Sequence, residues 1–196
     1  MSESCLSANT YSIHTSLGTI KIKLYDKTPL HQANFEKLVK EHAYDGVLFH
    51  RIIESFMIQT GDLSTKQNPI TTEGEMIPAE FVPEYIHKKG ALAAARTGDA
   101  VNPEKKSSFS QFYIVQGRPF TEEELFSMED FGEKVWTPEQ KAVYKTLGGT
   151  PFLDQEYTVF GEVVEGLDIV DAIAAVQTDA RDYPQEDIRI VSIKGQ

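Results

Sequence analysis

Residues 49–62 read FHRIIESFMIQTGD, and they give the strongest indication of the fold. Its Ile, Phe and Met residues favour β-strands, and the break at Glu54-Ser55 predicts two short strands joined by a turn. Arg51 and Gln59 stand among these apolar residues. A buried arginine is costly unless it is paired or functional, whereas one that reaches solvent along its stem costs little. The stretch alone leaves both alternatives open.

The residues before this stretch predict a hairpin and a helix. Residues 11–15 and 19–25 alternate apolar and polar side chains around a turn at Gly18, which is typical of two strands with one buried face. Thr28 is a candidate N-cap, and Pro29 suits the first helical position because its missing N–H costs nothing there. We expect this helix to end near residues 42–44.

The residues after it predict more strands than helices. Residues 109–115, 157–163 and 188–193 favour strands, and residues 167–176 have the apolar spacing of a helix. The run GALAAA at 90–95 could be a helix by propensity alone. Many strands with only two core-covering helices predict a mainly β protein, a closed or nearly closed antiparallel barrel. One domain over residues 11–196, preceded by a flexible polar tail at 1–10, is the simplest organisation.

Residues 118–150, hereafter the helical segment, differ from their surroundings. TEEE at 121–124 and TPEQ at 137–140 are capping-box sequences, and Gly148-Gly149 would stop the second helix. We therefore expect a helical insertion with an acidic first half. It could be a solvated helical pair packed on the barrel or a contact surface for a partner.

Composition excludes several functions. The formal net charge of −11 argues against nucleic acid or an anionic membrane surface as a partner. No apolar run approaches the ~20 residues of a membrane span, and no secretory signal is visible, so we expect a cytoplasmic protein. Cys5 is the single cysteine, which rules out an internal disulfide.

Standard catalytic motifs are missing. The sequence has no HExxH, Walker loop, GxGxxG or G-x-S-x-G, and no cluster of cysteines that would predict a zinc site. A β-barrel hydrolase that uses two carboxylates would need two converging acids, and nothing in the spacing singles out such a pair.

The sequence closely resembles the cyclophilin family. Residues 49–62 match its F-H-R-I-I-x-x-F-M-x-Q-x-G-D signature, and further matches follow in the family's order: Asn34-Phe35, GALAAAR at 90–96, SQFYI at 110–114, Leu153-Asp154 and VFGEV at 159–163. The resemblance covers roughly 11–117 and 151–196. It implies a closed eight-stranded antiparallel barrel capped by two α-helices, in which residues 90–95 are strand and adjoining loop.

The resemblance also implies a peptidyl-prolyl cis-trans isomerase that needs no cofactor. By position, Arg51 is the catalytic residue, and a pocket for the proline ring is lined by Phe56, Met57, Tyr113 and Leu153. Gln59 and Gln111 would supply side-chain hydrogen bonds, and Ala95 and Arg96 backbone contacts. Phe152 and Tyr157 stand where many eukaryotic members have tryptophan and histidine; this pair is typical of bacterial members and implies weak cyclosporin binding at most.

The implied partners are proline-containing peptides and unfolded or folded protein clients, with no nucleic acid and no membrane. A monomer that assists protein folding is the family's usual form. The alternative is a non-catalytic module or folding adaptor that holds proline peptides on the same fold; the intact set of Arg51, Phe56, Met57, Gln59 and Gln111 argues against it.

Overall fold

The computed structural model describes residues 9–71, 74–132 and 134–196. Within them the strands are β1 Thr10–Thr15, β2 Gly18–Leu24, β3 Arg51–Ile53, β4 Met57–Thr60, β5 Ala91–Ala94, β6 Phe112–Val115, β7 Val159–Glu165 and β8 Ile190–Gly195. The α-helices are α1 Pro29–Lys40, α2 Glu122–Phe131, α3 Pro138–Thr146 and α4 Leu167–Ala174. Short 3₁₀ turns cover Leu63–Thr65 and Pro151–Leu153. Cys5 and most of the predicted tail lie outside the described residues, whereas Thr10 already belongs to β1.

One antiparallel sheet contains all eight of these strands, in the order β3-β4-β6-β5-β7-β2-β1-β8, and forms a half-barrel. The end strands β3 and β8 share no ladder in the described part of the chain. The segment before β3 is nevertheless bonded to β8 and to the residues before it. The Phe49 amide donates to the Ile188 carbonyl at 2.9 Å, and the Gly46 amide donates to the carbonyl of Ile190 in β8 at 2.7 Å. Closure into a complete barrel stays a prediction.

The main core lies on the inner face of this sheet. The predicted inward residues of β2 are buried, and α1 and α4 cover the sheet with Phe35, Leu38, Val39, Val170, Ile173 and Ala174. Burying a side chain of this size contributes roughly 1.5–3 kcal/mol, so the core supplies the main stabilisation. The prediction of two core-covering helices is confirmed.

The N-terminus of α1 is capped differently from the prediction. Thr28 occupies the N-cap position, but its side chain makes no capping hydrogen bond. The Glu80 carboxylate instead accepts from the amides of Leu30 at 3.1 Å and His31 at 3.0 Å. A carboxylate from a distant loop thus satisfies two of the free N–H groups and suits the positive end of the helix dipole.

The alanine run forms strand β5, so helix propensity is overridden. Leu92 and Ala94 pack in the main core, while Ala91 and Ala93 pack in a second cluster on the outer face. A strand alternates its side chains between two faces, and small residues let both faces be covered closely. Of the strands predicted at 109–115, 157–163 and 188–193, the first is shorter, as β6, and the other two are each shifted by two residues, as β7 and β8.

The helical segment contains α2 and α3, as predicted. Both capping boxes form, Thr121 with Glu124 and Thr137 with Gln140. The two helices pack around a third apolar cluster, which joins them to the rest of the domain and contains Ile86, Phe120, Leu125, Trp136 and Tyr144. None of the helices in the described residues has the length and apolar character needed to cross a bilayer.

Candidate active site

Strand alternation places Arg51 on the outer face of the sheet. Ile52 points into the main core, so Arg51, one residue earlier, faces outward, and 45% of its side chain is exposed. Its Nε lies 3.8 Å from Oδ2 of Asp182, whose own side chain is 43% exposed. An ion pair this long and this exposed holds the guanidinium only weakly.

A row of residues crosses four strands beside Arg51. Arg51 is the direct register partner of Gln59, Gln59 of Tyr113, and Tyr113 of Ala93. Directly opposed residues on one face have their Cβ atoms about 4.5–5.5 Å apart. The row therefore brings a cation, an amide and an aromatic ring together, although they come from distant parts of the sequence.

An apolar cluster adjoins this row. It contains the buried Met57, Ala95 and Tyr113, with Phe56, Leu153 and Tyr157 packed against it as partly buried members. The predicted pocket residues thus come together on the outside of the sheet, separate from the main core. The Phe152 ring, 45% exposed, lies at the edge of this cluster with its centroid 5.8 Å from that of Phe56.

Polar groups line the same face. Nε2 of Gln59 donates to Oε1 of Gln111 at 3.1 Å, which joins the two predicted glutamines. The N–H of Ala95 donates to the Gln111 carbonyl, and the Ala95 carbonyl accepts from the Ser108 amide. Among the described residues, none of the backbone hydrogen bonds outside helices and strands involves the N–H or the carbonyl of Arg96. Of the two residues predicted to offer backbone contacts, Arg96 has the free groups.

The Arg96 side chain supports the wall of this surface. It is only 5% exposed, and its guanidinium lies 4.6 Å from the centre of the Tyr157 ring. Its Nε donates to the Glu156 carbonyl at 2.8 Å, and Nη1 donates to Asp99 at 2.6 Å. Tyr157 in turn packs edge-on against Tyr113, with ring centroids 5.9 Å apart. Arg96 is therefore held inward and fixes the position of Tyr157.

Behind the cluster lies a buried hydrogen-bond network that the sequence did not reveal. The Tyr113 hydroxyl is 2.9 Å from Nε2 of His87, and Nδ1 of His87 is 2.8 Å from Oδ1 of Asp154. Oδ2 of Asp154 accepts from Trp136 and Tyr144 of the helical segment. Burial raises the pKa of the Tyr113 hydroxyl well above its usual range, so this hydroxyl stays protonated.

Comparison with known proteins identifies the family. Residues 10–195 match the family model described as cyclophilin type peptidyl-prolyl cis-trans isomerase/CLD. The chain is a member of the cyclophilin family. Among the described residues, no group of three or more His, Cys, Asp or Glu side chains is placed to hold a metal ion in this cyclophilin.

Bacterial relatives cover most of this cyclophilin. A Staphylococcus saprophyticus protein named "Putative peptidyl-prolyl cis-trans isomerase" is 38% identical over 93% of this chain and 89% of its own length. A Streptococcus pyogenes protein named "Putative bifunctional phosphatase/peptidyl-prolyl cis-trans isomerase" is 40% identical over 93% of this chain. This chain spans only 38% of that streptococcal protein.

Solved cyclophilins share the fold. A cyclophilin-type isomerase of Cryptosporidium parvum has a TM-score of 0.70 at 23% identity and covers 94% of this chain and 95% of its own. The same protein in the presence of the dipeptide Ala-Pro has a TM-score of 0.69. A cyclophilin of Hirschia baltica has a TM-score of 0.66 at 21% identity, over 95% of this chain and 73% of its own. At these identities the likeness shows the fold alone.

The predicted site residues and the buried network differ in how the sequence could reveal them. Every predicted site residue of this cyclophilin lies on or beside the outer face of β3, β4, β5 and β6. The network residues His87, Asp154, Trp136 and Tyr144 were not predicted. Asp154 lies inside a matched motif and Trp136 inside the helical segment, but no sequence pattern predicts the hydrogen bond between them.

Proposed function

We propose that the outer-face surface around Arg51 is the site at which this cyclophilin rotates X-Pro peptide bonds, with Arg51 as the catalytic residue. This proposal rests on the row of register partners beside the apolar cluster. In that row Arg51 pairs with Gln59, and Gln59 pairs with Tyr113. A half-exposed guanidinium next to apolar side chains can meet a bound peptide without first breaking a strong ion pair.

The chemistry needs little more than this arrangement. An X-Pro bond prefers trans by only ~0.5–1 kcal/mol, yet the barrier to rotation is ~18–20 kcal/mol because of amide resonance. In the twisted transition state the prolyl nitrogen regains its lone pair. A guanidinium N–H directed at that nitrogen stabilises the transition state more than the planar ground state, and only such a difference lowers a barrier. Arginine suits the task because it stays charged and presents a rigid fork of donors.

The apolar cluster would hold the proline ring. Phe56, Met57, Tyr113 and Leu153 offer a surface without charge, which suits a ring that carries no polar group. Water excluded from this surface would strengthen the arginine's effect, because charges interact more strongly in a less polar medium. The carbonyl before the proline could then turn while the ring stays fixed.

The polar groups would orient the peptide chain on either side of the ring. Gln59 and Gln111 would hydrogen-bond the substrate, and Arg96 would offer its free backbone groups. Ala95, whose own backbone groups are occupied, would contribute van der Waals contact. Phe152 and Tyr157 would form the rim. Structure determination of the Cryptosporidium relative with Ala-Pro supports a proline-containing ligand for this fold.

The remaining parts of the proposal concern the whole protein. No covalent bond breaks in the rotation, so the side chains suffice and we propose no cofactor. We propose folding of protein clients as the role, a monomer in the cytoplasm as the working form, and weak cyclosporin binding. We also propose that the helical segment is an insertion in the family fold and that the barrel is closed.

Arg51→Ala tests the catalytic role in a chymotrypsin-coupled assay with a proline peptide. Removing one donor aimed at a transition-state charge typically costs about 10²–10³-fold, and we expect a loss of this order in kcat/KM. Arg181→Ala is the matched control, because Arg181 is also an exposed arginine near Asp182, with 88% of its side chain exposed. Near-wild-type turnover by Arg51→Ala would refute the assignment.

Peptide binding separates the enzyme from the binding module. Because Arg51 is exposed, the variant should keep its fold and most of its calorimetric affinity for the peptide. A wild-type protein that binds the peptide but does not accelerate its isomerisation would favour the non-catalytic module.

A further inference from the structure

The helical segment contacts the rim of the proposed site through Lys134. Its Nζ donates a hydrogen bond to the backbone carbonyl of Phe152, 18 residues further along the chain. Phe152 is the rim residue whose ring faces Phe56. The position of this rim therefore depends on a residue that lies between α2 and α3.

A second and stronger attachment is made to Asp154, two residues beyond Phe152. Its Oδ2 accepts from the indole Nε1 of Trp136 at 2.8 Å and from the hydroxyl of Tyr144 at 2.6 Å. Asp154 is only 4% exposed, Trp136 5%, and Tyr144 is fully buried. Hydrogen bonds to a charged group in a buried place are among the strong ones, so this contact fixes the segment that carries Phe152 and Leu153.

The other oxygen of Asp154 extends the attachment to the pocket. Oδ1 accepts from the backbone amide of His87 at 2.7 Å and lies 2.8 Å from its Nδ1. A carboxylate only accepts, so Nδ1 of His87 carries the proton. Nε2 of the same ring lies 2.9 Å from the hydroxyl of Tyr113, within hydrogen-bond distance. Tyr113 is a wall of the proposed proline pocket.

We propose that the helical segment is a clamp that sets the shape of the proline pocket, with Trp136 and Tyr144 as positioning residues that act through Asp154. On one side the clamp fixes the rim at Phe152 and Leu153, and on the other it fixes Tyr113 through His87. The pocket is thus held from behind, by groups that a substrate never touches. This inference rests on the proposed function of the pocket.

Two conservative variants remove the clamp without removing its packing. Trp136→Phe and Tyr144→Phe each delete one hydrogen-bond donor and keep an aromatic ring in the third apolar cluster. They are preferable to Asp154→Ala, which would leave several buried donors unpaired and threaten the fold. Thr121→Ala is the matched control: it removes the α2 cap in the same segment, away from Asp154, and lowers stability by a comparable amount.

We expect kcat/KM to fall about fivefold in each phenylalanine variant, the loss that one hydrogen bond implies. In Thr121→Ala we expect it to stay within about twofold of wild type, because local stability loss alone leaves the pocket intact. Combining Tyr144→Phe with Tyr113→Phe should cost less than the product of the two single losses, since both act through one network. Equal activity of the phenylalanine variants and the control, or strict multiplication of the losses, would overturn the clamp.

Trp136 offers a readout that does not depend on turnover. It is the only tryptophan of the chain, is buried, and lies outside the pocket. The clamp predicts that the fluorescence of Trp136 changes as an unlabelled Ala-Pro peptide saturates the pocket. The midpoint of this fluorescence titration should equal the Kd measured by calorimetry. Tyr113→Phe should lose most of that change when the pocket is saturated.

The two proposals fail in different ways. If the wild-type protein binds the peptide without isomerising it, the proposed function is refuted. The fluorescence of Trp136 would still test the clamp, because that measurement needs binding but no turnover. If the enzyme is active but bound peptide leaves the fluorescence of Trp136 unchanged, the clamp is refuted and the proposed function is not.

Discussion

Asp182 faces Arg51 with its side chain and binds the next residue, Ile52, with its backbone. The Ile52 amide donates to the Asp182 carbonyl at 2.8 Å, and the Asp182 carboxylate lies 3.8 Å from Nε of Arg51. Asp182 adopts a left-handed backbone conformation with φ 63°, which Asp and Asn tolerate better than most residues. The residue thus shapes the loop beside β3, and its charge faces the proposed catalytic cation.

Asp182→Asn should separate these two contributions. The amide keeps the side chain's shape and the loop's conformation, so stability should change by less than about 1 kcal/mol, as for other exposed ion pairs. We expect kcat/KM to stay equal or rise by up to about threefold, because the guanidinium is freed for the substrate. The coupled assay and urea denaturation measure both quantities. A tenfold loss of activity would mean that the carboxylate orients Arg51 instead of restraining it.

Arg96→Asn tests the support that Arg96 gives to Tyr157. The buried guanidinium stacks on the ring and bonds the Glu156 carbonyl and Asp99, and asparagine can replace none of these contacts. Lost stacking and hydrogen bonds of this kind cost about 2 kcal/mol together, and we expect that loss in urea denaturation. KM should rise as Tyr157 loosens. The exposed Arg181→Asn is the control, and a variant as stable as this control would contradict the prediction.

The sequence predicted the parts of the site that depend on local pattern. Alternation within the predicted strand puts Arg51 and Ile52 on opposite faces, and the family resemblance implied that Gln59 and Tyr113 lie at one pocket. Contacts between residues far apart in the chain escaped it. His87 and Asp154 are 67 positions apart in the sequence. Glu80 caps α1 from 50 positions away, although local preference favours Thr28 as the capping residue. Local preferences say which residue could cap a helix, whereas tertiary packing decides which one does.

Phe152→Trp should tighten cyclosporin binding. Phe152 is exposed at the rim beside Phe56, so a larger ring fits there without entering the core. The indole adds an N–H donor that the family's tryptophan uses toward the drug, and one such hydrogen bond corresponds to about a fivefold lower Kd. Calorimetry with wild type and Phe152→Leu as references measures the change. Unchanged affinity would reject this account of weak binding.

His31 makes stability depend on pH in a direction that its contacts alone do not reveal. His31 belongs to the first turn of α1 and its ring is buried, with Nδ1 2.7 Å from Glu80 and Nε2 2.8 Å from the Ser107 hydroxyl. The neighbouring carboxylate favours a charged ring, but burial is the larger effect and lowers the pKa of His31 below its usual range. The folded protein therefore holds the neutral ring.

The sign follows from linkage. Below the ordinary histidine pKa of about 6.5, His31 is protonated in the unfolded chain but stays neutral in the folded chain. The free energy of unfolding therefore falls as the pH drops from about 6.5 toward the lower pKa of the folded protein. His50 has a pKa lowered mainly by burial as well and adds a loss of the same direction. A variant that changes only His31 isolates its share.

His31→Gln keeps polar atoms facing Glu80 and Ser107 but cannot titrate. Between about pH 7.5 and pH 5.5, wild type should lose more unfolding free energy than His31→Gln, while both share the loss from His50 and the carboxylates. Urea denaturation followed by Trp136 fluorescence gives both values. An equal loss in the variant would mean that folding leaves the pKa of His31 unchanged, and a larger loss would mean that the ion pair with Glu80 outweighs burial; either result contradicts the prediction.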